Sequence, residues 1–149
     1  MELRLVPPED PGFAALTQKL DEYYISLVGE VHLRYAKFNH PKNFACRAVV
    51  YDDAGAPAAC GCWKAVDETT GEIKRIYVLP QYRRRGLASQ IVKAMEEDLA
   101  RSGRTRAVLE TARTTPDSEQ LYLSLGYHVI DYYGSPAGAE NCLCFEKLL

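Results

Sequence analysis

The stretch Leu79-Pro80-Gln81-Tyr82-Arg83-Arg84-Arg85-Gly86-Leu87-Ala88 constrains this chain more than any other. Before it, Glu72–Leu79 alternates and is rich in Ile, Tyr and Val, which predicts a strand halted at Pro80, a residue without an amide hydrogen. After it, Leu87, Ile91, Met95 and Leu99 recur at four-residue spacing with Ala88 and Val92 beside them, which predicts a helix over Gly86–Arg101. A short strand-to-helix turn therefore carries three adjacent cations. Adjacent arginines repel one another unless an anion approaches, and a helix's first turn offers unpaired amide hydrogens and the positive end of the dipole. Gly86 permits close backbone approach, and Ala88 leaves that approach unobstructed. The spacing is neither that of a P-loop, Gly-x-x-x-x-Gly-Lys-Ser/Thr, nor that of the three-glycine dinucleotide fingerprint.

The positive charge is local. Residues 1–71 carry a net −3, residues 72–106 a net +5 and residues 107–149 a net −4, for −2 in all. A weakly acidic chain with one basic segment suits a compact anionic ligand and argues against a generic binder of nucleic acid or anionic membranes. Lys93, Arg101 and Arg104 read as solvated helix cations. No apolar run approaches the ~18 residues of a membrane span, and the opening residues lack a basic stretch followed by an apolar one. Five cysteines, an odd number, predict free thiols in a reducing cytoplasm. With 47% apolar and 26% charged residues, residues 1–149 are expected to form one domain with a real core.

The remaining elements follow from periodicity. Leu3–Val6 predicts a strand ended by Pro7-Pro8. Phe13, Leu16, Leu20, Tyr24, Leu27 and Val31 predict an amphipathic helix that Gly29 weakens or splits in two, with Tyr24 in the core. Phe44–Tyr51 and Ala58–Val66 read as a hairpin around Asp52–Gly55. Arg106–Thr111 predicts a strand, Pro116–Leu125 a short helix, and Tyr127–Tyr133 with Cys142–Leu148 two closing strands. The order β-α-α-β-β-β-α-β-α-β-β is that of a mixed α/β domain.

These residues resemble the GNAT superfamily of acyl-CoA-dependent N-acetyltransferases. Its signature, Arg/Gln-x-x-Gly-x-Gly/Ala after the fourth strand, is matched by Arg83-Arg84-Arg85-Gly86-Leu87-Ala88. Leu121-Tyr122-Leu123-Ser124-Leu125-Gly126-Tyr127 is similar to the family's Leu-Tyr-x-x-x-Gly-Phe segment at the expected distance, and the close similarity covers Glu72 to Tyr127. The sequence departs from the family at Thr115, where Asn is frequent, at Ser118, where Ala is common, and at Tyr127, which replaces Phe. The resemblance implies a mixed, mostly antiparallel sheet splayed between strands 4 and 5 and flanked by helices. It implies acetyl-CoA as co-substrate, its pyrophosphate held by Arg83, Arg84, Arg85, Gly86, Leu87 and Ala88. Val78 is implied as a backbone contact to the pantetheine, and Tyr122 as a neighbour of the thioester sulfur. A homodimer is a family-level expectation.

Acetyl transfer from a thioester to an amine needs a neutral amine, stabilisation of charge on the carbonyl oxygen, and a proton for the departing thiolate. Tyr122 is the candidate acid and the Val78 amide the candidate oxyanion donor. Glu72, six residues before Val78, matches a position where some family members carry a catalytic glutamate. Strand alternation puts Glu72, Lys74, Ile76 and Val78 on one face, apart from any bulge. Glu110, His32, His40 or a water relay are alternatives for the base. Tyr23, Tyr24, Tyr35, Phe38, Asn39 and His40, with Asp21, Glu22 and Glu30, are candidates to frame a cationic amine. Cys60/Cys62 and Cys142/Cys144 fall in predicted strands at a spacing unlike the usual zinc pattern, so they read as buried thiols rather than metal ligands. The expected activity is direct acetyl transfer to a primary amine of a small molecule or peptide. A non-catalytic acyl-CoA sensor and a small nucleic-acid module using Arg83–Arg85 are the rivals.

Overall fold

Three antiparallel pairings build the first half of the sheet, and each strand has a simple local cause. The computed structural model describes residues 1–30, 39–113, 115–134 and 141–149. Strand β1 (Glu2–Val6) is stopped by Pro7-Pro8, and β2 (Cys46–Tyr51) pairs with it. Asp52 then turns the chain by accepting amides from Ala54 and Ala56, with Gly55 at φ 83°, and β3 (Pro57–Ala65) returns alongside β2. Strand β4 (Thr70–Val78) closes this antiparallel group. A 3-10 turn at Pro80–Tyr82 leads into helix α2 (Leu87–Arg101) and then β5 (Arg106–Ala112). Helix α3 (Pro116–Ser124) follows, with strands β6 (His128–Ile130) and β7 (Cys142–Leu148) after it. The sheet order is β1-β2-β3-β4-β5-β7-β6, with β4–β5 the single parallel pair among the described residues. This is the mixed, mostly antiparallel α/β sheet expected from the sequence.

Helix α1 (Pro11–Val28) is capped by Asp10, whose carboxylate accepts the Phe13 amide at 2.9 Å. Gly29, at φ 72°, ends the helix rather than weakening its middle. The second helix expected beyond it, with Val31, lies outside the described residues. Phe13 and Leu16 of α1 pack with Phe44, Val49, Cys60 and Cys62 on one sheet face. The other face is covered by Leu87, Ile91, Val92, Met95 and Leu99 of α2, as the helical stripe predicted, together with Tyr122, Tyr127 and Phe145. The strand expected over Tyr127–Tyr133 is shorter than its alternation suggested. It pairs only with Cys144–Glu146 of β7 and leaves the sheet after Ile130.

Helix α2 can lie close to the sheet because Gly71 faces it. A Cβ on Gly71 would collide with Leu99 Cδ2 and lie 2.9 Å from Trp63 Cε3. Gly71→Val therefore overpacks the core, and urea denaturation should record a loss of about 1–3 kcal/mol. An unchanged midpoint and slope would show that α2 has room to move away.

Candidate active site

The site begins with an irregularity in β4. Cys60 pairs with Tyr77 but Cys62 with Lys74, so Arg75 and Ile76 lie opposite the lone Gly61. Arg75 carries this bulge at φ 58°, a left-handed conformation costing about 1–3 kcal/mol in a non-glycine residue. Its buried guanidinium anchors the strain: it donates to the Thr17 carbonyl and pairs with Asp21, both at 2.9 Å. The bulge also resets the alternation of the strand. Ile73, Ile76 and Val78 pack on the α2 side, whereas Tyr77 packs on the α1 side. Glu72 and Lys74 belong to the face opposite Ile73, so the single face expected for Glu72, Lys74, Ile76 and Val78 is not formed.

Beyond Glu72 the sheet splits. Strand β4 meets β5 only through Thr70↔Arg106, Gly71↔Ala107 and Glu72↔Val108, while β5 stays paired with β7 as far as Ala112. The Leu79 amide donates to the Ala58 carbonyl at 2.9 Å. Antiparallel pairs alternate between hydrogen-bonded and open, so the Val78↔Ala59 pair is open and the Val78 amide is aimed into the split. Its carbonyl accepts from Arg83 Nε at 3.1 Å, which ties the next turn to the end of β4. The split opens into a cleft of about 1100 Å³.

One end of the cleft is the start of α2. Gly86 caps this helix at φ 76° with no side-chain hydrogen bond, and the Gln90 amide takes the Gly86 carbonyl. The amides of Leu87, Ala88 and Ser89 thus have no intrahelical acceptor, and all three residues line the cleft. The first turn carries no acidic side chain, and nothing lies within 4 Å of where a Gly86 Cβ would stand. Arg84 is left-handed at φ 65°, and turns of this kind can aim successive amides at one point. Arg83 and Arg84 line the cleft, but Arg85 stacks over the Tyr82 ring at 5.5 Å and does not.

Tyr122 borders the cleft from α3, a helix with Pro116 in its first turn and Thr115 as cap. Only 6% exposed, it packs edge-on to Tyr127 at 5.9 Å and against Phe145 at 6.0 Å. Tyr127 is itself fixed, its hydroxyl donating to Glu96 at 2.7 Å and Lys147 pairing with the same carboxylate at 3.0 Å. Burial raises the pKa of the Tyr122 phenol above the ordinary tyrosine range, so it stays protonated well into alkaline pH.

The opposite part of the cleft lies on the α1 face. Glu72 accepts the Tyr133 hydroxyl at 2.7 Å and faces Lys74 Nζ at 3.6 Å. Glu110, on β5, is exposed and lines the same cleft. Tyr24 lines it too, correcting its expected core position: α1 extends over the split, where β5 has diverged. Tyr23 and Asn39 are also at the rim, but Glu22 and Glu30 are exposed and neither lines the cleft. The His40 Nδ1 accepts the Lys42 amide and caps a turn. His32, Tyr35 and Phe38 lie outside the described residues. The Cys60 and Cys62 thiols donate to the Arg75 and Lys74 carbonyls at 3.4 Å, and burial pushes Cys60 up to about 12. Sequence reasoning missed Tyr133, which comes to Glu72 from 61 positions away, and the Arg75 bulge.

The sequence and the fold have known counterparts. Residues 13–127 match the acetyltransferase (GNAT) family model. The uncharacterised N-acetyltransferase YsnE of Bacillus subtilis is 28% identical over 94 residues, which span 62% of this chain and 62% of that protein. Among solved structures, a candidate acyl-CoA N-acyltransferase from Klebsiella pneumoniae superposes with a TM-score of 0.81 at 23% identity, covering 99% of this chain and 97% of that one. The PaiA N-acetyltransferase of Thermoplasma acidophilum, crystallised with coenzyme A, gives 0.75 at 15% identity over the full length of both chains. The overall fold is therefore a known one, and the chain belongs to the GNAT family of acetyltransferases.

Proposed function

We propose that residues 1–149 act as one acetyl-CoA-dependent N-acetyltransferase domain, moving the acetyl group directly to a primary amine in a ternary complex. The observation that carries this reading is continuity. One cleft runs from the free amides of α2, along the Val78 amide in the split, to Tyr122 and then to Glu72 and Glu110. The residues present fit acetyl-CoA: open space at Gly86, three unpaired amides and the Arg83 and Arg84 cations suit a pyrophosphate. The open edge of β4 suits an extended, amide-bearing arm.

The co-substrate supplies an acetyl group already activated as a thioester. The amine nitrogen bonds to its carbonyl carbon, the C–S bond breaks, and an amide and a free thiol result. Glu72 accepts a proton from the amine, oriented by the Tyr133 hydroxyl. The Val78 amide donates to the carbonyl oxygen as negative charge develops there. Tyr122 donates toward the departing sulfur. Moving a proton from an ordinary phenol (pKa ~10) to a thiolate (conjugate pKa ~8.5) costs about 2 kcal/mol, and burial adds to this. Tyr122 thus acts first by hydrogen bonding to the thiolate and delivers the proton as the bond finishes breaking.

Tyr122→Phe should lower kcat about 10²-fold or more while coenzyme A affinity stays within a few fold, measured by thiol release and titration calorimetry. An unchanged kcat would remove the acid role. Gly86→Glu should abolish coenzyme A binding by calorimetry, because it sets a carboxylate in the open space where the phosphates belong. Gly86→Ala, which adds left-handed strain of about 1–2 kcal/mol but no charge, should weaken binding far less. Equal losses in the two variants would mean that the turn's conformation matters and its anion site does not.

A further inference from the structure

Lys74 is the least satisfied cation in the acceptor half of the cleft. Its ammonium has three donors, yet its one contact among the described residues is Glu72 at 3.6 Å, longer than an ordinary N–H···O bond. The side chain is only 22% exposed, so little water compensates for the missing partners. Glu72 itself is occupied by the Tyr133 hydroxyl. Beside Lys74, Arg75 spends its charge on Asp21 and the Thr17 carbonyl. That pairing also removes Asp21 from the carboxylates that could receive a cationic acceptor.

Across the split stands a complement to Lys74. Glu72 and Val108 are abreast in the last pair joining β4 to β5, and two residues further along each strand stand Lys74 and Glu110. Both project to the same face, because the pairing is parallel and the shift is even. No ion pair joins them among the described residues. An under-coordinated cation on one lip of the gap therefore faces an exposed carboxylate on the other. A purely cationic acceptor entering here would meet the Lys74 ammonium with nothing to offset the repulsion. A molecule carrying both charges satisfies both lips.

Resting on the acetyl-transfer reading above, we propose that the acceptor is a zwitterion of the amino-acid class. Its carboxylate is received by Lys74, and its ammonium is received between Glu110 and Glu72, where it is deprotonated. Tyr23 and Tyr24 border the remaining volume and would meet the side chain.

The test compares matched acceptors that differ by one carboxylate, L-phenylalanine against phenethylamine and L-lysine against cadaverine, by thiol release from acetyl-CoA. Within at least one pair, the amino acid should exceed its carboxylate-free partner about 10- to 100-fold in kcat/KM, the scale of one charge-assisted hydrogen bond. Lys74→Met should erase that ratio mainly through KM of the amino acid, and Lys74→Arg should largely restore it. Turnover of the simple amines at rates equal to or above the amino acids overturns this proposal and leaves the acetyltransferase reading standing. A ratio unchanged in Lys74→Met overturns it as well. No thiol release with any acceptor overturns both.

Discussion

The molecule is organised around backbone pairing that stops. Strands β4 and β5 run together for three residues and then part, leaving amide groups of β4 with no neighbour in the sheet. Unpaired backbone groups in a sheet interior are costly, so a sheet of this kind persists only where something else supports the edge or a ligand completes it. Here the support comes from either side. Arg83 occupies the Val78 carbonyl, and Arg75 ties the bulge to α1. The Val78 amide is left facing the split.

The bulge links this gap to the chemistry. By placing Arg75 and Ile76 opposite Gly61, it shifts the alternation by one residue, so that Ile76 and Val78 share the α2 side with Ile73 while Glu72 and Lys74 face the α1 side with Tyr77. One strand thus presents Glu72 and Lys74, the residues proposed to meet the acceptor, and Val78, proposed to meet the thioester, on opposite sides of the same opening. A regular strand would put all of them on one face. Tyr122, the proposed acid, borders the cleft from α3, its ring clamped by Tyr127 and Phe145 and, at one remove, by the Glu96–Lys147 pair. Such clamping costs little at the moment of reaction because the geometry was set during folding.

What the sequence disclosed was local. Pro80, Gly86 and the four-residue stripe of α2 all act on near neighbours, and the fold bears out the strand end, the helix start and the buried face they predict; of the arginine run, Arg83 and Arg84 line the cleft while Arg85 stacks on Tyr82. The bulge left no such signature, since the residue at positive φ is Arg75 rather than a glycine or asparagine. The alternation rule therefore carried Glu72 and Val78 to the same face. Tyr24 continues the stripe of Phe13, Leu16 and Leu20, and only the divergence of β5 turns its position into a cleft wall. Tyr133 could not be joined to Glu72 because its segment read as strand, while β6 ends three residues earlier. The roles of single residues depend on such long-range placements, and periodicity does not contain them.

A crystal structure of the protein with coenzyme A tests the central claim most directly. The account predicts pyrophosphate oxygens within hydrogen-bonding distance of the Leu87, Ala88 and Ser89 amides. It also predicts that the pantetheine arm follows the free edge of β4 past Val78, with its sulfur beside Tyr122. Coenzyme A lying outside the split, with the Gly86 turn empty and the Val78 amide bonded elsewhere, would contradict it.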